Sequence, residues 1–146
     1  MEIFQRKYKC DGDKLLMSAL VHASTADNLH VVDLPYRLSS WAFDDPENIG
    51  LWTDRHNQLV AWAVLQTPFW TIDYAYMPEV GKDIRQHLLS WAHSRAQLTR
   101  GTPSGHDVWF VNVFSNQHER IGDLEAAGFA CQAHVAIDPW SRVLMA

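Results

Sequence analysis

From Tyr76 to His93 the chain reads YMPEVGKDIRQHLLSWAH: the end of a strand, a Pro/Gly turn, then the opening turns of an amphipathic helix. Such a junction presents unpaired backbone N–H groups at the positive end of a helix dipole, which is chemistry suited to holding phosphate. Met77, Val80, Gly81, Lys82, Asp83, Ile84 and Arg85 are the residues that would form the cradle. Gly81 stands alone where phosphate loops usually carry two or three glycines. Lys82 and Arg85 could pair with phosphate oxygens. Asp83 would repel them, and as a helix N-cap it would compete for the same N–H groups. These residues fit a phosphate loop and an ordinary strand-to-helix turn alike.

Other reactive side chains narrow the chemistry. In the strand just before the loop, alternation puts Ile72, Tyr74 and Tyr76 on one face and Asp73, Ala75 and Met77 on the other. Asp73 is the one carboxylate there. Of the eight histidines, His87 and His93 sit on different faces of one helix, and His30, His56, His106 and His118 show no ligand-like spacing, so a metal site is not expected. Ser39, Ser40 and Ser115 lack the Gly-x-Ser-x-Gly elbow of a serine hydrolase. Cys10 and Cys131 match no metal or redox spacing and read as two buried or partly buried thiols in a reducing compartment.

Twelve Lys and Arg against seventeen Asp and Glu give a net charge of −5, a poor match to nucleic acid or to an anionic membrane surface. No signal-peptide core is recognisable, and no stretch approaches the roughly 18 apolar residues that span a bilayer. The chain reads as cytoplasmic. Its 146 residues suit a single domain, 1–146. Seven tryptophans supply large burial per residue for a small core or for subunit contacts, and a stacking platform for a ring-bearing ligand is the other use open to them.

Periodicity supplies the elements that must position these groups. Glu2 to Lys9 reads as a strand and Asp13 to Thr25 as a helix, followed by an irregular stretch punctuated by Pro35 and Pro46. Gly50–Asp54 and Gln58–Gln66 form a hairpin across Arg55, His56 and Asn57. Trp70–Tyr76 is the next strand, Asp83–Leu98 a helix, and Thr99–Asp107 a loop. Val108–Phe114 is apolar on both faces except at Asn112, as expected of a strand covered on both sides. Ser115 or Asn116 caps a helix over Gln117–Ala127, which Gly128 ends. Phe129–Ile137 and Ser141–Met145 are the last strands. The result is an α+β fold: a mixed, mostly antiparallel sheet with helices on both faces and at least one parallel pair, through the Asp83 helix.

That order, with LVAWAVLQ, IDYAYMPEVGKDIRQHLLSWAHSRA and VWFVNVFSNQHERIGDLEAAGF in matching places, resembles the GNAT acetyltransferase superfamily. LHVVDLPYRLSSWAFDDPENIGLWTDRHNQLVAWAVL and the ending DPWSRVLMA are similar to the first domain of tandem GNAT proteins. The resemblance implies acetyl-CoA as cofactor, its pyrophosphate on the Met77–Arg85 loop, and a small-molecule amine as acceptor. It also implies a homodimer or a second GNAT domain as partner. The family pattern, Gln/Arg-x-x-Gly-x-Gly/Ala, is one residue short here, and Asp83 and Arg85 fall where its last small residues would be. Asn116 would bond the cofactor's arm, or merely cap its helix. Asp73 would be the base, or a structurally hydrogen-bonded residue. The family's acid, a Tyr on the last helix, is replaced by Leu124, which leaves Tyr74 or Tyr76 to supply a hydroxyl. A GNAT-like module that binds without catalysing is the alternative.

Overall fold

The computed structural model describes residues 2–24, 33–114, 116–131 and, as backbone, 140–145. Its strands are β1 (Ile3–Lys7), β2 (Ile49–Asp54), β3 (Leu59–Gln66), β4 (Thr71–Tyr76), β5 (Trp109–Phe114), β6 (Phe129–Cys131) and β7 (Trp140–Met145). The helices are α1 (Asp11–Ala23), α2 (Leu34–Leu38), α3 (Lys82–Thr99) and α4 (His118–Ala126). Among the described residues the strands form one sheet in the order β1-β2-β3-β4-β5-β7-β6. All neighbours are antiparallel except β4 and β5, which run parallel with α3 as the crossover.

Local chemistry explains most boundaries. In the β2–β3 turn the Asp54 carboxylate accepts from the His56 and Gln58 N–H groups, and Asn57 takes the left-handed conformation (φ 61°) that asparagine tolerates. Gly128 ends α4 at φ 95°, where a side chain would be strained. β3 and β4 are buried along their whole length because helices cover both faces. On one face Leu88, Leu89, Ala92 and Ala96 of α3 and Leu124 of α4 pack on Ala61, Ala63, Leu65, Ile72, Tyr74, Trp109, Val111 and Val113. On the other, Met17, Leu20 and Val21 of α1 and Leu34 and Leu38 of α2 pack on Leu51, Trp62, Val64 and Ala75.

Several sequence expectations are corrected here. The irregular stretch holds α2, with Pro35 at a first-turn position where its missing N–H costs nothing, and two short 3₁₀ turns at Trp41–Asp44 and Pro46–Asn48. β5 is sealed on one face only: Trp109, Val111 and Val113 are buried, whereas Phe110, Asn112 and Phe114 are half-buried. Asn116 does not cap α4, whose N-cap is Gln117; the alternative cap, Ser115, lies outside the described residues, as do the end of the predicted first helix at Thr25 and the 132–137 part of the predicted sixth strand. Both cysteines are exposed, Cys10 in a surface turn and Cys131 at the end of β6. Trp52, Trp62 and Trp109 are core residues, but Trp41 and Trp70 are about half exposed, at 54% and 49%.

The edge strand β1 is tied to α1 by charge. Arg6 donates to Asp13 at 2.7 Å, and the Lys9 N–H donates to the other carboxylate oxygen at 2.8 Å. The Arg6 bond, aided by the Lys9 amide, holds the Asp13 carboxyl below its usual 3.8. A lowered carboxyl stabilises the fold above that pH, and its contribution is lost as pH falls through the lowered value. Asp13→Asn is therefore expected to flatten the loss of stability as pH falls below about 3.8. Urea midpoints measured across that range check it, and an unchanged acid limb would refute the role given to Asp13.

Candidate functional site: the breach between β4 and β5

β4 and β5 share a single register pair, Thr71 with Phe110. The Phe110 N–H also donates to the Trp70 carbonyl at 2.9 Å. Beyond that point β4 stays in register with β3 as far as Tyr76, and β5 with β7 as far as Phe114. Each strand follows the neighbour on its outer edge, so a breach opens between them toward the start of α3 and α4. The Met77 N–H donates to Val60 on β3, so the backbone groups of residues 71, 73 and 75 also turn to β3, and those of 70, 72, 74 and 76 turn toward β5. The wall of the breach is thus the backbone of Tyr74 and Tyr76.

A side chain from α4 stands in this opening. Arg120 is 3% exposed, and its Nη1 donates to the Tyr74 carbonyl at 3.4 Å. Its guanidinium lies 4.5 Å from the centre of the Tyr74 ring and 4.6 Å from that of Tyr76, a cation over two aromatic faces. The Tyr74 hydroxyl is buried and, among the described residues, has no hydrogen bond of good geometry. Burial raises its pKa, with the Arg120 charge pulling the other way. Tyr76 is raised too, by burial above all, and its hydroxyl reaches Glu119 at 3.5 Å. Both phenols stay protonated at neutral pH, so they can donate a proton but not serve as phenolate bases. At the mouth is a cavity of about 340 Å³ between Tyr76 and Pro78 on the β4 side and Asn116 to Arg120 on the α4 side.

The α3 terminus stands next to this mouth. Gly81 is the N-cap (φ −75°, ψ 167°), and no side chain caps the helix. The expectation that Asp83 caps it is corrected: α3 begins one residue earlier, at Lys82, and Asp83 is an exposed first-turn residue. The first-turn amides therefore have no carboxylate competing from a cap. Gly81 is also not required by the fold, since a Cβ there would meet nothing within 4 Å. Val80 is buried in the core, with Met77 and Ile84 packed partly against it.

Arg85 is engaged by α4 and by the loop's own backbone. It bonds Asp123 of α4 at 2.7 and 3.4 Å, pairs with Glu119 at 3.1 Å and donates to the Val80 carbonyl at 3.2 Å. The bond to Asp123 raises the Arg85 pKa still further, so the guanidinium stays charged. Sequence reasoning missed Arg120, Asp123 and Glu119. Their spacing on one helix turn was the available signal, but only the fold shows that the turn faces Arg85 and the two tyrosines.

The other predicted residues are divided by the sheet. Asn116 joins Tyr76 and Pro78 at the mouth. Asp73 lies on the opposite face from Tyr74, 2% exposed, with Arg37 of α2 at 3.2 and 3.4 Å and the Thr71 hydroxyl at 3.4 Å. Arg37 also bonds Asp33 at 3.1 Å and stands 4.9 Å over the Phe69 ring. A second cavity of about 340 Å³ opens on this face, lined by Tyr36, Arg37, Phe69, Trp70, Phe110 and Asn112, among others. Leu124, where the resemblance places the acid, is fully buried core. Among the described residues no three His, Cys, Asp or Glu side chains group as a metal site, and no helix is long and apolar enough to cross a membrane.

No family model matches the sequence, and no curated protein matches it. Solved structures do match in fold. A GNAT superfamily phosphinothricin acetyltransferase from Sinorhizobium meliloti, in complex with acetyl-CoA, superposes with a TM-score of 0.64 at 16% identity over 99% of this chain and 86% of that one. An N-acetyltransferase from Staphylococcus aureus gives 0.62 at 12% over 99% and 97%. The spermidine/spermine N-acetyltransferase of Vibrio cholerae gives 0.58 at 14% over 98% and 92%. The chain has the GNAT acetyltransferase fold.

The Arg85–Asp123 pair has a measurable signature. Arg85→Ala leaves a buried carboxylate without its main partner and is expected to cost about 3–5 kcal/mol, whereas Arg85→Met with Asp123→Leu is expected to cost far less. Urea unfolding of the two variants decides. A single-variant cost near zero would show that the pair does not hold α3 to α4.

Proposed function

We propose that the chain is an acyl-CoA-dependent N-acyltransferase that moves an acetyl group from acetyl-CoA to the amine of a small molecule. The observation that carries this reading is the conjunction of the β4–β5 breach with the uncapped N-terminus of α3. An extended chain bearing amide groups can complete an open strand edge, as in β-strand addition. A pyrophosphate suits the helix-end amides of Lys82, Asp83 and Ile84, with the Lys82 ammonium beside them. Residues and ligand chemistry therefore fit, with two exceptions: Arg120 fills part of the breach, and Arg85 is held by Asp123 and Glu119.

In the transfer the amine nitrogen bonds to the thioester carbon, the C–S bond breaks, the amine loses a proton and the departing thiolate gains one. The buried, protonated Tyr74 hydroxyl is the donor we assign to the thiolate, and Asp73 is the carboxylate we assign to the amine proton, from the other face of the sheet. The second cavity, lined by aromatic side chains, Asp33 and Arg37, is where an amine would approach, with Asp73 buried behind Arg37. Proteins of similar fold support this direction: one is a phosphinothricin acetyltransferase held with acetyl-CoA and another is a spermidine/spermine N-acetyltransferase.

A second reading, a GNAT-like domain that binds without transferring, is favoured by Leu124 at the acid position and by Arg120 in the breach. Thiol release from acetyl-CoA over a panel of small amines separates the two. Turnover that falls at least about a hundredfold in Tyr74→Phe supports the first. Binding of acetyl-CoA with no turnover for any amine supports the second.

Binding itself is tested by titration calorimetry. The wild type is expected to bind acetyl-CoA, and no heat and no melting shift at millimolar ligand would overturn the site. Gly81→Leu adds a side chain in open space next to the helix-end amides. It is expected to lower the melting temperature by no more than a poorer helix cap does and to weaken acetyl-CoA binding at least about tenfold, since phosphate needs close backbone approach.

A further inference from the structure

The guanidinium of Arg120 stands where β4 would otherwise meet a strand partner. The Tyr74 carbonyl points into the breach, and Arg120 bonds it from α4. That bond is 3.4 Å long, at the weak end of hydrogen-bond geometry. Beside it the Tyr74 hydroxyl is buried, 6% exposed as a residue, with no hydrogen bond of good geometry among the described residues. A buried hydroxyl without a partner is costly, and a polar group brought to it would relieve that cost. With Arg120 withdrawn, one wall would offer a free acceptor, the carbonyl, and a free donor, the hydroxyl, within one residue. Those two groups complement an amide or a thioester carbonyl.

We propose that Arg120 is a displaceable plug of the β4–β5 breach, occupying the slot that the amide-bearing arm of an acyl-CoA must enter. The inference rests on the acyl-CoA reading of the breach. Arg120 belongs to the first turn of α4, next to Glu119, whose carboxylate is at the solvent-facing mouth with 60% of its side chain exposed. The other charged groups that act on the two tyrosines beside it are Glu119 and Asp123 of α4 and Arg85 of α3. Glu119 and the ligand's own phosphates give the displaced guanidinium partners at the mouth, so the charge moves outward without being stranded. A plug lowers apparent affinity by the fraction of time the slot is open: a slot open one-tenth of the time binds about tenfold more weakly.

The test compares acetyl-CoA with 3′-phospho-ADP, its phosphate end alone, in calorimetric titrations of the wild type, Arg120→Ala and Arg120→Gln. Glutamine keeps a polar head but is too short to span the breach, and it carries the test if the alanine variant does not fold. The plug predicts that acetyl-CoA binds at least about tenfold more tightly to the variants, while 3′-phospho-ADP binds equally or more weakly. Unchanged or weakened acetyl-CoA binding, or equal gains for both ligands, would overturn the plug and leave the acyl-CoA site standing. Absence of binding for acetyl-CoA in every variant would overturn the site, and the plug with it.

Discussion

β4 and β5 hold their hydrogen bonds on the edges that face away from each other. β4 runs in register with β3 over its full length, and β5 runs in register with β7 over its own. Between them the ladder closes once, at Thr71 and Phe110. Strand twist accumulates separately on the two sides of that point, so the strands diverge. Everything that could bind or react here follows from that divergence. It exposes the backbone of Tyr74 and Tyr76 at depth, aims the start of α3 at the opening, and leaves the first turn of α4 to cover what the ladder does not.

Covering the opening with α4 creates an electrostatic problem that side chains resolve. Burying a guanidinium is unfavourable unless charge or π faces compensate it. Arg120 has the two tyrosine rings and a carbonyl, and Arg85 has Asp123 and Glu119. The arrangement draws two arginines and two acids into a small volume between α3 and α4. The tyrosines in turn are kept neutral by burial, which restricts them to donating. On the opposite face Arg37 plays a comparable part between Asp33 and Asp73.

Much of the fold was legible in the sequence because it rests on local rules. Alternation in β4, the helical stripe of α3 with Leu88 and Ala92, the β2–β3 turn around Asn57, and Gly128 as a helix stop all concern neighbours in the chain. The parallel β4–β5 pair followed from helix length. What escaped depends on partners far apart. The five-residue α2 was hidden because Pro35 reads as a breaker unless its first-turn position is known. Asp83 looked like a cap, but the α3 backbone turns one residue earlier. Cys10 and Cys131 are small and apolar enough to suggest burial, yet both lie at element ends. The site was half legible: the loop from Met77 to Arg85 could be located. The charge cluster it joins could not, since Arg85 meets Asp123 across 38 residues.

The lone Thr71–Phe110 pair also bears on how the molecule holds together as a mechanical object. Two hydrogen-bonded assemblies, β1 to β4 and β5 with β7 and β6, meet at one rung and are further joined by interdigitated side chains, the α3–α4 ion pair and side-chain hydrogen bonds between α4 and β4. Along the rest of the opening no backbone ladder joins β4 to β5, and the α4 side chains Arg120 and Glu119 make the contacts to β4. Stiffness across the sheet is therefore set by packing, in Trp109, Val111 and Leu124, and not by the backbone.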